Sequence, residues 1–303
     1  MRSERVEEYL EAISKRQEAE MPVSTSSLAA DLRVTLPAVT DMIRRLEAKG
    51  LINYEPNRGV SLTAEGSRAA LTTIRRHRLW ERFLTDILGL RWDKVHDAAC
   101  RLEHAISPEM EESLASLLSY THTCPHGHPI PDKNGYVKDQ GVRPLSEFDV
   151  GQKVRIYAVA KEEGQLLRKI EKWGLKPKSI VKIERKDDDG TLELKLDGQK
   201  LLLDKTTADY LTAISISPSE EAADEEIPMS MLQTGQSGVL KSYTGGKGML
   251  GRCLSMGFTP GSTVKMIENF GSGPVLAKVH DVEVALGRGM AAKIMVTRKS
   301  PRC

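Results

Sequence analysis

The chain has 303 residues, of which 40% are hydrophobic, 28% charged and only 5% aromatic, a balance that predicts two to four folded globular domains with mostly aliphatic cores rather than a disordered chain. No apolar run approaches the ~18–20 residues that span a bilayer, the opening MRSERVEEYLEA lacks the apolar stretch of a secretory signal, and Cys100, Cys124, Cys253 and Cys303 form no CxxC pair. These features argue against membrane insertion, a disulfide framework and a compact four-cysteine zinc site, and a cytoplasmic location is expected. The formal charge of +2 is an average over a polarised chain, because residues 227–303 carry ten Lys and Arg against three Asp and Glu.

In chain order, Val6, Tyr9, Leu10 and Ile13 recur at helical spacing and mark an amphipathic first helix. Ser24 or Thr25 caps a short helix holding Leu28 and Leu32. Thr35 caps a third, with Pro37 in its first turn, Val39, Ile43 and Leu46 on one face and Gly50 as its stop. Two short helices joined by a tight connection are a helix-turn-helix pattern. Leu51–Thr63 then gives two strand-like runs around Pro56-Asn57-Arg58-Gly59, hence a β-hairpin. Helix-turn-helix plus hairpin is a winged helix, expected over residues 1–72.

A long helix is expected from Thr63 to about Leu88, another from about Trp92 to Ser107, and a third from Pro108 carrying Met110, Leu114, Leu117 and Leu118. This helical segment, residues 73–144, ends in a stretch too rich in Gly and Pro for regular structure, from Pro125 to Pro144. Residues 145–217 and 227–303 read as a diverged internal repeat, since Lys172–Ile183 matches Ser255–Met266 and each copy is preceded by Gly-Gln, at Gly151-Gln152 and Gly235-Gln236. Each copy predicts a small β-barrel with a short helix between strands. The segment 218–226 between them has five acids and no base, the composition of a linker. The fold class is therefore α+β and multidomain, with a winged helix, an all-helical segment and two small barrels.

The chemistry concentrates on the helices. His96, Cys100, Glu103 and His104 sit at i, i+4, i+7 and i+8, and His77 and Glu81 at i, i+4, as do Glu8 and Glu11 at i, i+3. Each set falls on one helical face. Mixed N, O and S donors suit a borderline divalent transition metal better than Mg or Ca. For DNA contact, the third helix offers Thr35, Pro37, Ala38, Thr40 and Asp41 towards base edges and Arg44, Arg45 and Lys49 towards phosphates, with Arg58 at the hairpin tip. Asp41 repels phosphates and is read as facing a base edge or solvent.

His77-Arg-Leu-Trp-Glu-Arg-Phe-Leu84, Lys94–His104 and Cys124-Pro-His-Gly-His-Pro-Ile-Pro131 resemble the DtxR/MntR-type family of metal-dependent bacterial transcriptional repressors over roughly residues 1–217. The two repeats resemble the SH3-like FeoA domain. The resemblance implies a homodimer that binds double-stranded operator DNA and two metal sites per subunit. One site would use Glu8, Cys100, Glu103 and His104, and the other His77, Glu81 and His96 with Glu162 and Gln165 from the first barrel. Iron-type members generally place a methionine where Glu8 stands, and manganese-type members use a carboxylate there together with Glu11, whereas Cys100 is iron-type. Fe(II) is favoured over Mn(II), with Co(II), Ni(II) or Zn(II) substituting in vitro. Cys124-Pro-His126-Gly-His128 is read as a connecting turn and Cys253 as a core residue.

Three other readings compete. A hydrolytic or redox enzyme lacks an HExxH motif, an accessory of ferrous-iron transport needs no recognition helix, and a winged-helix regulator of a non-metal ligand has no use for the clustered donors.

Overall fold

A computed structural model of the chain describes residues 4–17, 20–118, 121–133, 135, 141–216, 226–244 and 247–298. The linker, apart from Glu226, and Cys303 lie outside the described residues. The fold has two compact units, the first formed by residues 1–115, 123–141 and 158–174 and the second by 116–122, 142–157 and 175–303.

The first unit opens with α1 (Glu4–Gln17), α2 (Thr25–Leu32) and α3 (Leu36–Ala48), followed by the hairpin β1 (Ile52–Glu55) and β2 (Gly59–Leu62). Ser24 caps α2 by accepting from the Ser27 backbone N–H, and Arg33 closes it in the left-handed conformation. Thr35 stands at the α3 cap position, but its side chain makes no capping bond; Pro37 in the first turn presets the helix instead. Val39, Ile43 and Leu46 are buried against Leu10, Ile13, Leu28 and Ile52 in one aliphatic core. In the hairpin Ile52 pairs with Leu62 and Glu55 with Gly59.

The wing is tied to the chain before α2 by paired backbone bonds between Val23 and Val60, each 2.8 Å. Gly59 makes this approach possible. Its φ is +133°, and a Cβ there would lie 2.3 Å from the Val23 carbonyl oxygen. Gly59→Ala is therefore expected to destabilise the winged helix by at least ~2 kcal/mol. Its melting transition measures this, and an unchanged Tm contradicts it.

Thr63 caps α4 (Ala64–Asp86) by accepting from the Gly66 N–H, and α1 packs along this helix. The helix expected over Trp92–Ser107 is shorter in the structure: a 3-10 turn at Trp92–Lys94 precedes α5, which covers only His96–Leu102. Glu103 and His104 therefore leave the end of a helix rather than continuing its stripe. Next comes α6 (Pro108–Leu117). The first unit also holds α7 (Gly164–Lys172), where Arg168 pairs with the buried Asp93 at 2.9 Å and Glu171 with Arg91 at 2.9 Å.

The two repeats form two six-stranded sheets. The first contains β3 (Arg143–Pro144), β4 (Lys153–Val159), β5 (Ile180–Lys186), β6 (Leu192–Leu196), β7 (Gln199–Leu203) and β8 (Leu211–Ser215), in the order β3-β8-β4-β5-β6-β7. The second contains β9 (Glu226–Pro228), β10 (Ser237–Tyr243), β11 (Thr263–Glu268), β12 (Val275–Val279), β13 (Val282–Leu286) and β14 (Ile294–Arg298), in the order β13-β12-β11-β10-β14-β9. The order is the same in both copies: the first strand of a repeat pairs beside its last. A short helix precedes the last strand in each, α8 (Lys205–Tyr210) and α10 (Arg288–Ala291), and α9 (Lys247–Ser255) occupies in the second copy the place of α7. Gly174 and Gly257, at φ +71° and +82°, end these matching helices. Cys253 is fully buried in the second repeat's core beside Leu240, Phe258 and Val264. No helix among the described residues is long and apolar enough to cross a membrane.

Candidate metal centre and nucleic-acid interface

α4 places His77 and Glu81 one turn apart and facing inward, and both are buried. His77 is the hub. Its Nδ1 lies 2.6 Å from Glu103 Oε2 and 3.9 Å from Cys100 Sγ, and its Nε2 lies 3.1 Å from Glu81 Oε1. His96, at the start of α5, sets its Nε2 3.7 Å from Cys100 Sγ and its Nδ1 2.6 Å from Glu162 Oε2. His77, Glu81, His96 and Glu162 thus offer donor atoms that all lie within 4.8 Å of one another. Gln165, expected beside Glu162, is exposed in the first turn of α7.

The other expected donors converge differently. Cys100 groups with His77 and His96, while Glu103 groups with His77 and the buried Glu11. Glu8 groups with Glu4 and His104, and His104 Nδ1 also meets Glu7 Oε2 at 2.7 Å. The early end of α5 explains this division, since Cys100 is held by helix and Glu103 and His104 by the following turn. Glu4 and Glu7 were invisible as partners in the sequence because only tertiary packing of α1 brings them to His104.

Cys124 and His126 lie in the expected turn, and their side chains come within reach of the cluster. Their donor atoms join those of Glu81 and Glu162 within 4.8 Å. Both residues are buried, with His126 Nδ1 3.2 Å from Glu81 Oε1 and 3.4 Å from Glu162 Oε1. The ring is aimed by its other nitrogen, since Nε2–H donates to the Trp92 carbonyl at 2.9 Å. A histidine whose far N–H is fixed on a backbone carbonyl presents the remaining nitrogen in the way metal-bound imidazoles do. His128 is turned away in part, donating to the Val159 carbonyl at 3.0 Å.

The centre is electrostatically unfinished. His77 Nε2, His96 Nδ1, His126 Nδ1 and both Glu81 carboxylate oxygens are buried without a partner of hydrogen-bonding geometry, although opposing atoms stand at ion-pair distance. Buried polar atoms left in this state are costly, and a cation that accepts several lone pairs at once satisfies them. The mutual influence of these groups shows in the direction of their pKa shifts. Contacts with Cys100, Glu162 and Glu81 push His96 up to about 11. Burial alone would raise Glu81, but His126, His77 and His96 outweigh it and hold the carboxyl well below the usual range. Burial likewise opposes a Cys100 thiolate, and His77 and His96 overcome it. The donor set of imidazoles, carboxylates and a thiol with lowered pKa fits a divalent transition metal.

Glu11 meets a rival cation. Lys15 Nζ lies 2.8 Å from its Oε1, one turn along α1.

The third helix and wing form a separate exposed surface. Thr35, Pro37, Ala38, Asp41, Arg44, Arg45 and Arg58 are exposed, while Thr40 is half-buried with its hydroxyl donating to the Leu36 carbonyl at 3.0 Å. Asp41 pairs with Arg45 at 2.8 Å, which neutralises the carboxylate flagged as a repeller of phosphate. Arg58 pairs with Glu55 across the wing turn.

A recognition helix and wing joined by α4 to a buried cluster of His, Glu and Cys define the class of metal-responsive DNA-binding proteins. Residues 1–60 match the iron dependent repressor N-terminal DNA binding domain, 63–132 the iron dependent repressor metal binding and dimerisation domain, and 143–213 and 227–298 the FeoA domain. The diphtheria toxin repressor of Corynebacterium jeikeium is 30% identical over 207 residues, covering 60% of this chain and 85% of that one. The protein of the same name from Corynebacterium glutamicum is 39% identical over 140 residues, 46% of this chain and 61% of its own length. Among solved structures, a manganese-dependent transcriptional repressor in complex with manganese superposes with TM-score 0.66 at 31% identity, over 70% of this chain and all of that one. The chain belongs to the iron-dependent repressor family of metal-dependent, DNA-binding transcriptional repressors.

Proposed function

We propose that this chain is a homodimeric repressor of metal-homeostasis genes for which Fe(II) is the corepressor, with Mn(II) as the rival metal. The observation that carries the reading is the cluster of buried donor atoms without hydrogen-bond partners between α4, α5, the 124–126 turn and Glu162. His77, Glu81, His96, Glu162, Cys124 and His126 would hold one metal, and Cys100, Glu103 and His104 with Glu8 or Glu11 another. The thiol of Cys100, softer than a carboxylate, favours Fe(II) over Mn(II).

When bound, the metal supplies positive charge and a fixed link between donors. The chain's own residues define what that link does. Glu4, Glu7 and Glu8 belong to α1, which packs in the winged-helix core, while Glu103 and His104 follow α5. Glu4, Glu7 and Glu8 crowd the single imidazole of His104, with Glu7 at 2.7 Å, and their like charges oppose this close approach. A bound cation would neutralise them and hold α1 in this position beside the turn after α5. In a dimer that arrangement sets the separation of two recognition helices, which must match half-sites about 34 Å apart.

Calorimetric titration of the metal-free protein with Mn(II), and with Fe(II) under anaerobic conditions, tests the reading. About two sites per chain, with Fe(II) preferred and with Cys100→Ser narrowing that preference, are expected. Equal affinities unaffected by Cys100→Ser would remove the argument for iron.

A further inference from the structure

Lys153 on β4 is paired directly with Lys182 on β5, Lys182 with Lys195 on β6, and Lys195 with Lys200 on β7. Four lysines thus stand side by side across four neighbouring strands. Strands lie about 4.8 Å apart, so the row runs about 14 Å. The neighbours Val154, Val181, Leu194 and Leu196 are buried, and the alternation along each strand turns all four lysines outward.

Such a row is unfavourable in isolation, because like charges opposite one another repel. Carboxylates on the same face offset it only in part. Lys182 pairs with Glu184 at 3.0 Å and Lys200 with Glu193 at 2.6 Å. Lys195 has no ion pair among the described residues, and it adds with Lys200 to the effect of Lys182 in holding the Glu184 carboxyl below its ordinary range. A lysine on an edge strand is commonly a guard against edge-to-edge pairing. That accounts for Lys200 on β7, but not for β4, β5 and β6, which have neighbours on both sides.

The second repeat provides an internal comparison. There the same register reads Ser237, Lys265, Lys278 and Glu283, and Lys278 is engaged by Asp281 at 3.0 Å. The barrel architecture therefore does not require the row.

We propose that the Lys153–Lys182–Lys195–Lys200 row contacts the phosphate backbone of double-stranded DNA flanking the operator. The proposal rests on the repressor reading above. B-DNA carries one charge per ~3.4 Å of axis on each strand, so a row of about 14 Å matches about four phosphates of one strand. The winged helix already brings duplex to the chain, so the row meets flanking DNA at a high effective concentration.

The test uses the full chain with Mn(II) and two duplexes carrying one operator, one trimmed to the site and one extended by about 20 base pairs on each side. The probes are wild type, Lys182→Gln/Lys195→Gln/Lys200→Gln, and Lys265→Gln/Lys278→Gln as a control in the other repeat. On the long duplex the triple variant is expected to lower the slope of log K against log salt by about 3 per protomer. The short duplex and the control variant are expected to show no change. A second measurement on random duplex in chelator, independent of operator recognition, is expected to show the same loss of slope.

An unchanged slope on both long and random duplex, in a triple variant with wild-type Tm and metal stoichiometry, overturns the proposal. So does lysine-dependent binding to polyglutamate with no effect on duplex, which assigns the row to an acidic protein partner. Lysine-dependent binding to random duplex without any metal response at the operator retains the row and sinks the repressor reading instead.

Discussion

Replacing Glu81 with glutamine is expected to destabilise the metal-free protein by about 3–5 kcal/mol, the range seen when one partner of a buried ionic cluster is removed. Glu81 has no exposed surface, and three imidazoles share it, with His77 at 3.1 Å, His126 at 3.2 Å and His96 at 3.7 Å. The substitution keeps shape and volume and removes only the charge. It leaves His77 and His126 in an interior where burial opposes their charged form. The pH dependence follows from the depressed carboxyl: the stabilisation is present above the unfolded value near 4.5 and is lost as pH falls towards the lower folded value. Denaturant unfolding of wild type and Glu81→Gln at pH 7 and pH 4 measures both effects. A loss below about 1 kcal/mol at pH 7 would mean that the cluster is solvated rather than buried.

On the DNA side, Thr40→Ala combined with Arg44→Ala is expected to weaken operator binding by about 100-fold or more, each lost contact contributing about 1–3 kcal/mol. Arg44 is the better choice over Arg45 for a structural reason. Arg45 is engaged by Asp41, whereas Arg44 is exposed and has no ion pair among the described residues. Asp41→Ala/Arg45→Ala, which removes both members of the ion pair and leaves the net charge unchanged, is expected to cost less than Arg44→Ala. The buried face of α3, formed by Val39, Ile43 and Leu46, is untouched, so the fold survives. Gel-shift titration with metal present reads the affinities. Equal losses for Arg44→Ala and Asp41→Ala/Arg45→Ala would contradict the asymmetry drawn from the ion pair.

Much of this architecture was legible in the sequence because it is written in local patterns. The spacing of Val39, Ile43 and Leu46, the Ser24 and Thr63 caps and the turn at Gly59 each encode an element without reference to distant residues. The repeat was legible from Lys172–Ile183 and Ser255–Met266, whose matching glycines both adopt positive φ. From spacing alone the metal centre was legible only where its donors share a helix, while Glu162 was reached through the family resemblance. His77 with Glu81, and His96 with Cys100, follow from spacing of four. Glu103 and His104 extend the same spacing, but α5 ends at Leu102 and the following turn carries Glu103 to His77 and His104 to Glu7. Cys124 and His126 sit in a Pro-rich turn whose composition signals irregular structure and nothing about direction. What aims His126 is the Trp92 carbonyl, a contact between residues 34 apart. The lysine row is hidden for the same reason, since strand register assembles it from four separate segments.

On the proposed reading, metal held at the turn after α5 and α1 controls DNA binding by the winged helix. Operator affinity measured by fluorescence anisotropy on the full chain, in chelator and in saturating Fe(II) or Mn(II), tests it most directly. Affinity on the order of 100-fold tighter with metal is expected, with that response lost in Glu103→Ala/His104→Ala. Equal affinity with metal and with chelator would contradict it.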